Sequence, residues 1–323
     1  MRSLCVVFSA SCEKHLTTTH PICRAGLFRT PLLRRSKSMD FILASLADGL
    51  LLGFIYGIAA MGLTLIWGVM NVINLAHGPI IALGMFTVYL LFTFLGIPPY
   101  LGVLLAAVFG LLLGIVIYVI AVQRVIDAPH LSSLLATFSV NMIIIGIGTA
   151  IFSTSPRNID LQLWSISLGP VTLQGTRVVA SFIAVLVTAG LYYFLYRTRQ
   201  GKYIRAVANN RAAAELVGIP SNRVLALSFG IGAMLATIAG ALIATFLPFN
   251  ILAGGTYELK SFVIGVLGGL GNPVGALVGG LILGLLEGIV PTFTQTTWVP
   301  VIEFVLFVII LLVRPNGLFG AKQ

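Results

Sequence analysis

The chain has 323 residues, of which 58% are hydrophobic and 9% charged, and its formal net charge is +10. Soluble domains carry roughly 25% charged residues, so this composition excludes a soluble globule and predicts an all-α polytopic protein in a lipid bilayer. The positive charge does not indicate nucleic-acid binding, because seven of the 19 basic residues precede Met39 and six lie in 197–223.

Residues 1–38 differ from everything that follows. Their apolar run, Leu4 to Ala10, is too short to cross a bilayer, and no convincing signal-peptide cleavage site follows it. We interpret 1–38 as an extension of unknown role, favouring an upstream start over a transit-like or regulatory segment. All three cysteines lie here, so the domain 39–323 contains no thiol.

From Met39 onward, apolar segments follow one another steadily. A spanning helix needs about 20 apolar residues, and about eight transmembrane helices are predicted, some of them interrupted or re-entrant. The candidate spans are 41–69, 77–95, 100–122, 131–153, 178–196, 224–247, 261–290 (interrupted) and 298–313.

The link between the first two spans is unusually polar. It contains Asn71, Asn74 and His77, followed by the helix breakers Gly78 and Pro79. Irregular backbone at membrane depth is tolerated only against protein or a water-filled cavity, so we expect this link beside a path through the membrane or at its cytoplasmic mouth. For His77 alone, a hydrogen bond to backbone is the better interpretation, because no second metal ligand accompanies it.

The fourth span carries several polar side chains, including Asn141, which either bond neighbouring helices or line a hydrophilic path. The stretch 153–175 is polar, with apolar residues at alternating positions, and it contains a Gly-Pro turn. It predicts a small β-like loop outside the bilayer, on the side opposite the basic stretch 197–223.

The stretch 197–223 is the long polar interruption of the apolar body. Its six basic residues place it in the cytoplasm by the positive-inside bias. The Ala-rich part, 209–217, predicts one short helix that Gly218 and Pro220 terminate. Either another protein docks on this helix, or the stretch is a solvated loop that only fixes orientation.

A second irregularity lies at 259–291, where a glycine-rich run meets Asn272 and Pro273. The part before this break is too short to span, so the pattern predicts a half-helix that enters the membrane, breaks and continues as a full helix. Its glycines lack the spacing of either phosphate-binding motif, so the chain is expected to bind no nucleotide or other cofactor itself.

Charges within the apolar segments are few. Asp48, Glu287 and Glu303 are expected near the interfaces, and no lysine or arginine is expected deep in a helix. With 197–223 inside, the counted crossings put both Met39 and Arg314 outside, although the basic residues beside them favour the inside. Either 1–38 is not native, or a crossing is miscounted in 41–69 and in 261–290.

Four stretches resemble the branched-chain amino acid ABC transporter permeases of the LivH type. They are GLTLIWGVMNVINLAHG (62–78), GKYIRAVANNRAAAELVGI (201–219), GGLGNPVGA (268–276) and RPNGLFG (314–320). The resemblance covers 39–323 in order, and it departs from the family pattern at Leu75, where phenylalanine is common.

The resemblance implies a multi-pass permease subunit in a bacterial inner membrane. Its implied partners are a second, related permease, two cytoplasmic ATPases and a periplasmic binding protein. The substrate would be a branched-chain amino acid or, as in relatives sharing these motifs, a small amide. The residues implied for ATPase coupling are Arg205, Asn209, Ala212, Ala213, Glu215 and Gly218, and the candidates for the translocation path are Asn71, Asn74, His77, Asn141 and Asn272.

Two other classes of protein compete with this interpretation. A self-sufficient secondary transporter or channel would need buried charge pairs or a proton relay. An intramembrane enzyme would need a nucleophile with its base, or a metal cluster, and two histidines in 39–323 are too few to indicate one. We therefore predict a transport protein, not an enzyme.

Overall fold

The computed structural model describes residues 31–161, 164–168, 171–314 and 317–320, and the chain from Phe41 onward forms one compact unit. The helices are α1 (Pro31–Met70), α2 (His77–Leu95), α3 (Pro99–Ile117, extended by the π-helical turn Tyr118–Val122), α4 (His130–Phe152), α5 (Gly175–Arg197), α6 (Arg199–Asn209), α7 (Arg211–Leu216), α8 (Ser221–Ile243), α9 (Ala253–Gly268), α10 (Pro273–Phe293) and α11 (Val299–Val313), with a 3₁₀ turn at Thr296–Trp298. Strands β1 (Ser165–Leu168) and β2 (Val171–Gln174) form an antiparallel hairpin.

Eight helices in the described part of the chain are long and apolar enough to cross a membrane. This confirms the predicted polytopic, all-α fold, and the β-like loop predicted for 153–175 is the β1–β2 hairpin. The interrupted span resolves into α9, which has 16 residues, and α10, which has 21. The predicted half-helix is therefore confirmed, although it begins earlier, at Ala253.

The body has two opposite faces, because α5 joins the hairpin to α6 through 23 residues, about 34 Å of helix. We call the end with β1 and β2 the hairpin face and the end with α6 and α7 the basic face. Arg177, in the first turns of α5, bonds Asp48 of α1 at 3.1 Å. The membrane part of α1 therefore begins at the hairpin face.

Residues 318–319 lie at the basic face, which agrees with the charge preference of Arg314 and not with the counted crossings. The N–H groups of Leu318 and Phe319 donate to the carbonyls of Leu267 and Gly268, at 2.9 and 3.2 Å. The count of crossings treated 261–290 as one span. In the structure, α9 is a half-helix that ends at the basic face, and α10 and α11 then cross to the hairpin face and back. The interrupted stretch 261–290 is thus where the crossing was miscounted.

Helices α1 and α10 pack backbone against backbone. Three glycines of each helix face the other, and a Cβ atom on Gly284 would lie 2.4 Å from Cα of Gly53. Since small residues let membrane helices approach closely, this interface explains part of the high glycine content. The contact holds α10 antiparallel to α1, with Gly271 near Gly68 at the basic face.

Candidate functional site

The basic segment, 197–223, folds as two helices rather than one. Asn210 separates α6 from α7, and its side-chain oxygen accepts a hydrogen bond from the N–H of Ala213 at 3.0 Å. The short helix predicted in 209–217 is α7, but it begins at Arg211, because Asn209 is the last residue of α6, a helix that was not predicted. The physical reason is that Asn caps a new helix better than it continues an old one.

Helix α6 is held tightly against the end of α5. The hydroxyl of Thr198 caps α6, and a Cβ on Gly201 would lie 2.2 Å from the carbonyl oxygen of Phe194. Arg205 stacks its guanidinium over the ring of Tyr196, 4.6 Å from the centroid. A displacement of α6 must therefore move the end of α5 with it.

Helix α7 carries the exposed tip of the basic segment. Ala212, Ala213 and Glu215 are exposed, and Gly218 ends the turn with φ of +84°. Beyond them, the side chains of Leu216 and Val217 are 88% and 76% exposed, although they lie outside the candidate membrane spans.

These two apolar side chains were not selected from the sequence, although an apolar pair closing a short helix in a polar segment was a usable signal. Their neighbour Arg211 anchors α7 to the α3–α4 connection through Asp127, at 2.8 Å. The tip is therefore both apolar and attached to the body at a second point.

A cavity of about 1100 Å³ lies between α1, α5, α6 and the turn from α9 to α10. Its wall is largely apolar, and Arg197 and Arg205 are its charged members; no acidic residue of the described chain lines it. Among the predicted path residues, Asn272 lines this cavity. Asn272 also caps α10 by accepting from Val274 N–H at 3.0 Å.

The polar link after α1 runs back into the protein. His77 donates from Nε2 to the carbonyl oxygen of Ala59 at 2.9 Å, and Ala59 lies about 16 Å back along α1 from Met70. The interpretation of His77 as a backbone-bonded residue is confirmed. Because a carbonyl only accepts, Nε2 carries the ring proton and Nδ1 is free to accept.

The asparagines of this link have different surroundings. Asn71 is exposed and has φ of +54°, whereas Asn74 is buried and accepts from the N–H of Ala76 at 3.1 Å. Neither residue, nor His77, lines the cavity. Asn141 is half-buried on α4 and also lies away from the cavity wall, so the five predicted path residues do not form one cluster.

One charge lies where the sequence indicated none. Lys260 is inside α9 with its side chain 12% exposed, and its Nζ bonds Glu287 Oε2 at 2.5 Å. The expectation of no deep lysine is wrong because the half-helix begins at Ala253, which carries Lys260 into the body. Glu287, which was expected near an interface, is likewise bonded within the helix bundle.

The apolar body is similar to known transport proteins throughout. The family model described as "Branched-chain amino acid transport system / permease component" matches residues 45–313. The high-affinity branched-chain amino acid transport system permease protein LivH is 31% identical in both Salmonella typhimurium and Escherichia coli K12, over 89% of this chain and 98% of each relative. The corresponding protein BraD of Pseudomonas aeruginosa is 28% identical over 87% of this chain and 96% of its own length. No solved structure matches the chain.

Proposed function

The chain belongs to the family of permease components of branched-chain amino acid transport systems, and from this premise we propose that it carries a branched-chain amino acid across the inner membrane of a bacterium. It is a multi-pass membrane protein and a transport permease of the ABC importer type, which works with ATPase and binding-protein partners. The proposed assembly is one copy of this chain with a second permease, two ATPases and one periplasmic binding protein.

The observation that carries this proposal is that one segment serves both the cavity and the exposed tip. Ile204, Arg205 and Ala208 of α6 line the cavity, and α7 follows directly after the break at Asn210. A protein that pushes on α7 therefore acts on the cavity wall through a few residues. This arrangement is what an ATP-driven permease without its own nucleotide site requires.

The cavity has the chemistry of an exit for an aliphatic zwitterion. Its walls offer Leu65, Leu191 and Leu195 to an aliphatic side chain, and two arginines, Arg197 and Arg205, stand near its edge. Arginine binds carboxylates well, so the α-carboxylate of a departing amino acid has a partner there. A positive mouth also disfavours cationic amino acids.

The ATPase contact is proposed at the exposed tip of α7. Leu216 and Val217 would enter an apolar pocket of the ATPase, while Ala212 and Ala213 allow close approach. Burying one aliphatic side chain contributes about 1.5–3 kcal/mol, so truncating both is expected to weaken the contact at least tenfold.

The test is Leu216→Ala together with Val217→Ala, expressed with the cognate ATPases and binding protein. We expect the ATPase recovered with the permease, and the uptake of leucine, to fall at least tenfold while insertion stays normal. Leu252→Ala is the matched control, because Leu252 is 51% exposed near the opposite face. Normal uptake by the double variant would refute docking at this tip.

A self-sufficient secondary transporter is the second candidate, because it requires buried charges and Lys260 supplies one. The two functions differ in their energy source. Uptake by the reconstituted assembly that requires ATP and survives collapse of the ion gradients supports the ABC importer. Uptake by the permease alone, driven by a gradient, would support the alternative.

A further inference from the structure

Three ionisable side chains meet where α9, α10 and α11 pack together. Lys260 Nζ lies 2.5 Å from Glu287 Oε2 and 3.6 Å from Glu303 Oε1. The side chains of Lys260 and Glu303 are 12% and 6% exposed. We call these three residues the ion cluster; neither the cavity nor the basic segment includes any of them.

The ion cluster lies inside the helix bundle and not at its rim. Glu287 is six residues, about 9 Å, before the end of α10 at Phe293, and Glu303 is in the second turn of α11. From α1, the ring of Tyr56 covers Lys260 Nζ at 4.9 Å from its centroid. Tyr257 of α9 adds a second ring, 6.1 Å from that of Tyr56.

The charges of the cluster do not balance. Two carboxylates share one ammonium group, and Lys260 is close to Glu287 and more distant from Glu303. Oε1 of Glu303 is buried and receives no hydrogen bond from the described residues. The partner of Glu303 is the ammonium group that it shares with Glu287, at 3.6 Å. Because a buried charge is costly unless it is fully compensated, this sharing disfavours a cluster in which both carboxylates are ionised.

The neighbouring groups do not supply the missing positive charge. Among the described residues, the ionisable side chains facing Lys260 and Glu303 are Tyr56, Tyr257 and Glu287, none of which is basic. Glu258, also on α9, is turned towards Gly78 of α2: a Cβ on that glycine would lie 2.6 Å from its Oε2. By contrast, Asp48 and Arg177 elsewhere in the bundle form a balanced pair at 3.1 Å.

From this imbalance we infer that the ion cluster binds one monovalent cation, either a proton or an alkali-metal ion, on the carboxylate of Glu303. One positive charge neutralises the cluster, whereas a divalent ion would leave an excess. Bound there, the cation stabilises the packing of α11 on α9 and α10. Glu287, whose side chain is 25% exposed, is the most exposed member of the cluster. The cluster lies within the permease itself, so cation binding there requires neither substrate nor ATPases.

The test measures the melting temperature of the purified permease in nanodiscs at constant ionic strength. Sodium or potassium chloride is compared with choline chloride at fixed pH, and the pH is then varied from 5 to 8 in choline. A site for an alkali ion predicts a melting temperature about 2–4 °C higher in sodium or potassium. A proton site predicts no such difference, but a similar fall as pH rises and the proton is lost.

Glu303→Gln keeps the shape and removes the charge, so it should abolish whichever dependence the wild type shows. Asp160→Asn is the matched control: Asp160 is an exposed carboxylate, and its variant should keep the dependence. If Glu303→Gln does not fold, Lys260→Gln should enlarge the shift, because it leaves two carboxylates without an ammonium group. A wild type that responds to neither alkali ions nor pH, or a response unchanged in the folded Glu303→Gln or Lys260→Gln variant, would overturn the inference.

Discussion

Adding a single methyl group at Gly284 should force α1 and α10 apart. A Cβ there would lie 2.4 Å from both Cα and N of Gly53, and 2.5 Å from the carbonyl oxygen of Gly49. All three atoms belong to backbone, so no side chain can rotate out of the way. Gly284→Ala therefore tests whether the close packing of these two helices stabilises the fold.

The size of the effect follows from the contact distances. Carbon atoms pack favourably at about 3.5–4.0 Å, so the helices would have to separate by about 1 Å along their contact. Overpacking of this kind typically costs about 1–3 kcal/mol. At about 2–4 °C per kcal/mol, the melting temperature should fall by roughly 2–12 °C.

The assay is thermal unfolding of the purified permease, which is monitored as the loss of the monodisperse peak in gel filtration. Gly190→Ala is the control, because Gly190 lies in α5 and an added Cβ would meet nothing within 4 Å. The control should melt at the wild-type temperature or slightly above it, since Ala favours helix more than Gly. Equal melting temperatures for the two variants would refute the argument from backbone contact.

Three further predictions concern the site. Cysteine at Asn272, which lines the cavity, should react with a small water-soluble thiol reagent, whereas cysteine at the buried positions Asn74 and His77 should not; equal labelling would contradict the cavity assignment. Gly218→Ala should lower stability by about 1 kcal/mol because φ is +84° there, while Gly255→Ala should not, and chemical unfolding would compare them. Purified permease alone should bind leucine no more tightly than about 1 mM, roughly −4 kcal/mol, because Arg197 and Arg205 stand only near the edge of the cavity and the deep Lys260 is already paired; micromolar binding in calorimetry would refute this.

The elements that were predictable are those governed by local sequence. Length and apolarity place the eight spans, and the Asn-Pro break at Asn272 and Pro273 places the division between α9 and α10. The hairpin follows from alternating polarity around a turn. Each of these signals lies within about 20 consecutive residues, so no knowledge of tertiary packing is needed to recognise it.

What was missed depends on contacts between distant residues. Lys260 looks interfacial in the sequence, and only its packing against Glu287, 27 positions later, shows that it is buried. The link after α1 runs back into the protein, where His77 bonds the carbonyl of Ala59. The cavity forms only when α5 lies against α1. Asn210 had a local signal, its capping preference, but it competes with the high helix propensity of the alanines after it.

The hydrogen bonds that complete the end of α9 also set an order for biogenesis. The carbonyls of Leu267 and Gly268 receive their hydrogen bonds from Leu318 and Phe319, residues that the ribosome adds about fifty positions later. While α9 emerges, these carbonyls have no such partners. The half-helix therefore reaches its final form only after α10 and α11 have been inserted, when residues 318–319 fold back beneath it. Assembly of this permease thus includes a step that waits for residues 318–319, and a bulky insertion immediately after Phe319 would disturb it.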